Sequence, residues 1–261
     1  MPFRVGFLCA FLFILTPAAQ AQVTGRMVEY RDGGTVLEGY LAFDDVVSGK
    51  RPGVLVAHEW KGLNDYAKGR ADQLAALGYV GFAIDMYGKG VHAETHEEAA
   101  KLSGVYREDR QLMRQRAKAA YDFLLQQPEV DSERVAAMGY CFGGMAVLEL
   151  ARSGVPLLGV ATFHGTLNTP LPAKKGDIKA KVRVFHGDED PFVTGAEVDA
   201  FRTEMRAAEA DWQMTIFSGA VHAFTVPSAG TDKSLGAAYN ERADKASWQA
   251  LTLFLKEIFK S

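Results

Sequence analysis

The chain has 261 residues, of which 48% are hydrophobic and 23% charged, with Lys+Arg 29 against Asp+Glu 32 for a net charge of -3. That is long and apolar enough to bury a large core, which excludes a disordered chain, and the even charge balance without a basic block excludes a nucleic-acid binder. The only cysteines, Cys9 and Cys141, are too few for a disulfide framework or a four-cysteine zinc site.

At the N-terminus, Arg4 precedes an apolar run from Val5 to Leu15, and Ala19-Gln20-Ala21 supplies a small-x-small cleavage pattern. This reads as a signal peptide over residues 1–21, since the run is far shorter than the roughly 20 residues a spanning helix needs. Export to the periplasm or the exterior is expected, with no membrane attachment once the signal is removed. Cys9 would leave with that segment. Residues 22–261 would then form one domain whose sole thiol, Cys141, sits in an oxidising compartment and calls for a chemical explanation.

Residues 26–31 and 35–43 read as a hairpin about Asp32-Gly33-Gly34, and residues 53–57 as a strand buried on both faces. A helix over 64–77 ends at Gly78 and a strand follows over 79–84. Residues 92–102 read as a short polar helix and 105–126 as a long one, with Met113, Ala117, Ala120 and Leu124 on one face before Pro128. Strands at 134–138, 157–163, 182–185 and 212–217 then alternate with helices at 143–152 and 195–209, and the last helix spans 238–259 with Ala246, Ala250, Phe254 and Ile258 in a stripe. Such alternation predicts an α/β fold: a mostly parallel sheet of about eight strands, helices on both faces, and the opening hairpin as an antiparallel edge. Chemistry in such sheets collects at the carboxyl ends of the strands.

Three segments fall at those ends. Gly139-Tyr140-Cys141-Phe142-Gly143-Gly144 follows a strand and opens a helix, the pattern of a nucleophile elbow with cysteine in place of serine. Its glycines answer a steric need, and a helix N-terminus favours a thiolate. His186-Gly187-Asp188-Glu189-Asp190-Pro191 and Gly219-Ala220-Val221-His222 follow the next two strands, so nucleophile, acid and histidine occur in the chain order of α/β-hydrolases. Cys141 is therefore the candidate nucleophile, His222 the base, and Asp190 the acid that fixes the imidazole tautomer. Asp190 is preferred over Asp188 and Glu189 because a residue before proline is held extended. His186 is expected to tether the acid loop by a hydrogen bond, and His58 and His164 also stand at strand ends. His92 and His96 flank Glu94 without the H-E-x-x-H zinc spacing and read as a solvated helix face. A small buried thiol in a glycine-rich turn is the bland alternative for Cys141.

With these three segments and His58-Glu59-Trp60-Lys61-Gly62, the sequence resembles the dienelactone hydrolase family from about residue 26 onward. The resemblance implies hydrolysis of a small ester or lactone, without a cofactor or metal, through an acyl-thioester on Cys141, as in carboxymethylenebutenolidases. It implies that Glu59 holds the resting cysteine as a thiol, and that the backbone N–H groups of Phe142 and Trp60 form the oxyanion hole. A structural salt bridge is the other reading of Glu59. In the family a substrate carboxylate is gripped by two arginines; here Asp85-Met86-Tyr87 is followed by Lys89 at one of these places and Val226 stands at the other, with Ala223 where a serine is usual. Tyr87, Lys89 and Val226 are accordingly the expected substrate-binding residues, and lysine cannot grip a carboxylate bidentately. The alternatives are a carboxylesterase or thioesterase for uncharged acyl groups, a non-catalytic binding protein that keeps the fold, and a single-thiol redox protein that lacks a resolving cysteine. The expected partner is a small molecule, with the protein a monomer or small homo-oligomer.

Overall fold

The computed structural model describes Met1 and residues 22–260; the expected signal segment and Cys9 lie outside the described residues. A hairpin of β1 (Val23–Asp32) and β2 (Thr35–Asp44) turns at Gly33, whose φ of 54° suits glycine, and pairs in one register from Val23↔Asp44 to Asp32↔Thr35. β2 joins β4 (Val80–Ile84) antiparallel, and every later pairing is parallel. With β3 (Arg51–Ala57), β5 (Val130–Tyr140), β6 (Gly159–Phe163), β7 (Lys181–Gly187) and β8 (Trp212–Phe217), the 8-stranded sheet runs β1-β2-β4-β3-β5-β6-β7-β8. β3 and β4 are central and buried along their whole length, which is why they read as unbroken apolar runs instead of alternating ones.

Helices cover both faces. Leu74 of α1 (Asp65–Ala76) packs with Leu251, Phe254 and Ile258 of α6 (Glu241–Phe259) on one side. Met113, Ala120 and Leu124 of α3 (Arg110–Leu125) pack on the other with Met145 of α4 (Phe142–Arg152) and Phe201 of α5 (Gly195–Ala207). Each such large apolar side chain contributes about 1.5–3 kcal/mol on burial.

The helix after β4 departs most from expectation. α2 spans His96–Glu108, starting later than residue 92 because Thr95 and Glu98 form a reciprocal capping box, and ending at Asp109. Asp109 also caps α3, its carboxylate accepting from Leu112 N–H, so the break between the two helices falls there and not near residue 103. α6 likewise starts at its Asn240 cap, after the predicted 238. β5 begins at Val130, where a register shift at Pro52/Gly53 lets the strand pair in two stretches.

Candidate active site

Cys141 stands between β5 and α4 with φ 53° and ψ -115°, a left-handed conformation that a non-glycine residue holds only under constraint. The constraint is visible: its N–H donates to the Phe163 carbonyl at 3.0 Å, and the chain around it is packed backbone on backbone. A Cβ at Gly139 would stand 2.2 Å from the Gly143 carbonyl oxygen, and one at Gly143 would stand 2.2 Å from the Ala57 and 2.5 Å from the His58 carbonyl oxygens. Only glycine allows the first turn of α4 to press on the end of β3, which brings Cys141 beside the segment that carries Glu59.

Asp190 and His222 arrive from the neighbouring strand ends. Nδ1–H of His222 donates to Asp190 Oδ2 at 2.8 Å, and the other carboxylate oxygen accepts from Phe192 N–H at 2.9 Å. Asp188 and Glu189 are exposed, and Glu189 pairs with Lys233 at 2.7 Å. The loop bearing His222 is held by its N–H to the Gly236 carbonyl at 3.1 Å and by Ala238 N–H to the His222 carbonyl at 3.0 Å. Burial opposes a charge on His222, but the Cys141 sulfur, hydrogen-bonded to it, and the Asp190 carboxylate outweigh that cost and hold the imidazole up at about 10. His222 therefore stands between the Cys141 sulfur and the Asp190 carboxylate, hydrogen-bonded to both.

The Glu59 carboxyl lies beside this pair. Burial pushes it up to about 7, moderated by the charge on His222, and no hydrogen bond joins it to Cys141 in this arrangement. The loop around it is fixed through its backbone: His58 Nδ1 bonds the Glu59 carbonyl at 2.5 Å, and Tyr87 Oη donates to the Trp60 carbonyl at 2.8 Å. Phe142 opens α4, where its N–H has no preceding helical carbonyl to bond.

Two expected substrate contacts are not brought to the site. Lys89 turns to the hairpin, where its ammonium pairs with Glu29 and, at 3.3 Å, with Glu38, while its N–H donates to the Val36 carbonyl at 2.9 Å. Two carboxylates on β1 and β2 neutralise the charge that an acidic substrate would need. The Tyr87 hydroxyl is committed to the Trp60 carbonyl and its ring packs on His58 and Phe142, so it shapes the loop from beneath. Val226 is buried one turn past His222, its N–H on the Ala223 carbonyl at 2.9 Å, with Ala223 at φ 55°.

His186 makes no side-chain hydrogen bond among the described residues, contrary to the expected tether; burial lowers its basicity. Backbone contacts tie the acid loop instead, Asp188 N–H to the Phe217 carbonyl at 3.1 Å and Glu189 N–H to the Ala220 carbonyl at 3.0 Å. His92 lies outside the helix, exposed and paired with Glu94 at 2.9 Å, and His96 packs on Trp60 with ring centroids 5.2 Å apart. Among the described residues no group of three His, Cys, Asp or Glu side chains could hold a metal ion.

Sequence reasoning missed the buried polar chain behind His222. His164, at φ 40°, bonds Thr225 Oγ1 through Nε2 at 2.8 Å; Thr225 is bonded by Tyr66 Oη at 2.7 Å, and Tyr66 by Arg70, which pairs with Asp244 at 2.6 Å. One signal was available: Arg70 occupies the apolar stripe of α1 with Ala67, Ala71 and Leu74, and a cation there needs buried partners.

A thiol on a strained turn after the fifth strand, with an acid and a histidine following the last two strands of a sheet of this order, defines an α/β-hydrolase. The chain belongs to the dienelactone hydrolase family, whose profile matches residues 37–259. An Aquifex aeolicus protein named "Putative carboxymethylenebutenolidase" is 28% identical over 247 residues, covering 90% of this chain and 100% of its own. A Bradyrhizobium protein named "Probable 2-oxo-3-(5-oxofuran-2-ylidene)propanoate lactonase" is 26% identical over 241 residues, with 88% and 94% covered. The crystal structure of a dienelactone hydrolase-like promiscuous phosphotriesterase from metagenomic libraries superposes with a TM-score of 0.85 at 43% identity, covering 90% of this chain and 98% of that one.

Proposed function

We propose that the protein hydrolyses a small carboxylic ester or lactone through an acyl-thioester on Cys141. The observation that carries this reading is the hydrogen-bonded line from Cys141 through His222 to Asp190, with His222 held up at about 10. The thiolate adds to the carbonyl carbon, and the oxygen takes up negative charge between the N–H groups of Phe142 and Trp60. Collapse of this adduct expels the alkoxide, which takes the proton from His222 Nε2. His222, now neutral, draws a proton from water as it attacks the thioester, and loss of the acid regenerates the thiolate–imidazolium pair. Asp190 keeps Nδ1 protonated and Nε2 aimed at the reacting atoms throughout. Glu59 acts as the neighbouring acid: protonated below about pH 7, it can donate to the sulfur at rest and protect an exported thiol from oxidation.

The substrate reading favours an uncharged acyl group, because Lys89 is neutralised on the hairpin and Val226 offers no charge. The lactonase and butenolidase names of the relatives support lactones as the first class to test, and the phosphotriesterase name adds phosphotriesters. Export of residues 22–261 completes the reading and is checked by sequencing the N-terminus of the processed protein. The decisive experiment mixes the protein with an activated aryl ester and follows Cys141 by mass spectrometry. An acyl mass on Cys141 that turns over, and its loss in Cys141→Ala, is expected; full turnover by Cys141→Ala would sink the mechanism, and no acyl mass with any ester tested would favour a binding role for the fold.

A further inference from the structure

We infer that His58 is a positioning residue for the oxyanion hole, aiming the N–H of Trp60 by holding the carbonyl of Glu59. The inference rests on the reading in which Trp60 N–H binds the developing oxyanion. A peptide unit is planar and trans, so the carbonyl oxygen of residue 59 and the amide hydrogen of residue 60 point in opposite directions from one rigid plate. Whatever grips that oxygen sets the direction of the N–H. Here the grip is His58 Nδ1, 2.5 Å from the Glu59 oxygen. His58 is fully buried, and the opposite edge of the plate, with the Trp60 N–H, points away from its ring.

The ring can play this part in one tautomer only, and its surroundings select it. Met86 N–H, a pure donor, bonds Nε2 at 3.2 Å; Nε2 therefore keeps its lone pair and Nδ1 carries the hydrogen. Burial drives the basicity of His58 down, which keeps the ring neutral and this pattern intact. The ring plane is set by Tyr87, with centroids 4.9 Å apart, and by Phe142, stacked at 6.0 Å and 19°. Phe142 supplies the second proposed oxyanion donor, so one imidazole braces both halves of the hole.

The next peptide plate is pinned in the same way, by Tyr87 Oη donating to the Trp60 carbonyl at 2.8 Å. The first plate has a second, longer contact, Gly62 N–H on the Glu59 carbonyl at 3.3 Å, against 2.5 Å for the His58 ring. The His58 clamp follows β3 and is itself held by Met86 N–H from the end of β4, and the Tyr87 clamp comes from that same end, where Asp85 Oδ1 accepts from Tyr87 N–H at 2.8 Å and Gly88 N–H at 3.0 Å. β3 and β4 are paired in parallel as far as Ala57↔Ile84, so residues just past their ends lie side by side. A loop peptide without these clamps would spend part of its time flipped, and donors aligned beforehand are what make an oxyanion hole effective.

The test compares His58→Leu, His58→Asn and Tyr87→Phe in the full protein with p-nitrophenyl acetate, alongside alkylation of Cys141 by iodoacetamide. Alkylation reads the thiolate and its imidazolium without needing an oxyanion hole. We expect His58→Leu to lower kcat about 100-fold, the scale of losing one such donor, with KM within about twofold and the alkylation rate unchanged. His58→Asn, whose amide can donate from near the Nδ1 position, should recover most of the loss. Tyr87→Phe, which keeps the ring packing, should lower kcat about tenfold at constant KM. The inference fails if kcat is unchanged in a folded His58→Leu or Tyr87→Phe protein, if alkylation falls in step with kcat, or if asparagine is no better than leucine. Absence of any acyl-thioester in the unsubstituted protein would instead remove the reading beneath it.

Discussion

The ring of His164 stands edge-on to that of His222, with 5.2 Å between centroids and 65° between planes, and their surroundings shift the two imidazoles in opposite directions. Burial, and then the charge on His222, press His164 well below the ordinary imidazole range, while Cys141 and Asp190 hold His222 up. A second cation so close would repel the first, so the pair carries one positive charge between them in the working range. The chain through Thr225 and Tyr66 to Arg70 anchors the neutral ring, and leaves it as a polarisable wall against the imidazolium.

Stability should fall with rising pH, in two stages. Glu59, at about 7 in the fold against 4.5 in an unperturbed chain, keeps its proton when the unfolded state has lost it, so stability drops between about pH 4.5 and 7. His222 is raised from 6.5 to about 10; its contribution is complete below pH 6.5 and is lost by pH 10. Glu59→Gln should abolish the first stage and, on the order of 1–3 kcal/mol, exceed the unsubstituted protein in stability at pH 8. Urea unfolding at pH 4.5, 6, 8 and 10 measures both stages, and parallel curves for the two proteins would contradict the position of Glu59.

Asp190→Asn should lower kcat by about 100-fold to 10,000-fold, because the amide can turn a donor toward His222 and favour the wrong tautomer. Asp188→Asn and Glu189→Gln should stay within about twofold, since both carboxylates are exposed and Glu189 is already engaged with Lys233 on the surface. Steady-state rates on one aryl ester suffice. Equal losses at 188 and 190 would mean that the acid loop acts as a unit and that the 2.8 Å bond to His222 carries no special role.

The placement of Cys141, Asp190 and His222 was legible because its information is local. Gly139 and Gly143 mark a turn whose geometry follows from steric exclusion, and Asp190 and His222 follow strands whose ends the alternation of elements already places. What could not be read was set by contacts between segments far apart in the chain. Lys89 follows the Asp85-Met86-Tyr87 segment at a site position, but Glu29 and Glu38 reach it only once the hairpin folds beside β4. Asp109 looks like one polar residue in a long helical run, and its capping role appears only when both helices are in place. The tether assigned to His186 passed to backbone groups, which carry no sequence signature.

Substitution of Lys89 by methionine should leave the preference between a carboxylated lactone and a neutral ester of similar size unchanged within about twofold. The ammonium is half-exposed and shared by two carboxylates, a surface arrangement screened by solvent that contributes little. Val226→Arg tests the converse: a guanidinium there should raise kcat/KM for the carboxylated substrate. The ratio of kcat/KM for the two substrates, measured in 50 mM and 500 mM salt, is the readout, and a ratio that collapses in Lys89→Met would return Lys89 to the site.

The heaviest stability penalty should come from a residue remote from the reaction. Glu149 is fully buried in α4, accepting from Arg114 Nε at 2.7 Å and Arg152 Nη1 at 3.1 Å, with Arg110 Nε at 3.9 Å. Arg152 also pairs with Glu204 of α5 at 2.8 Å and bonds the Leu167 carbonyl at 2.8 Å, and Arg114 bonds the Leu171 carbonyl at 2.7 Å. The cluster thus ties three helices to the segment after β6. Glu149→Gln keeps the volume but leaves guanidinium charge uncompensated in the interior, which costs about 3–5 kcal/mol. Because the charges are shielded from solvent, this loss should be nearly the same in 50 mM and 500 mM salt. Activity at 15 °C, where the variant remains folded, should change by less than about twofold, since Glu149 lies two turns along α4 from Cys141. Urea unfolding at the two salt concentrations, paired with an ester assay, checks all three statements; a penalty below about 1 kcal/mol would show that the arginines find other acceptors when the carboxylate is gone.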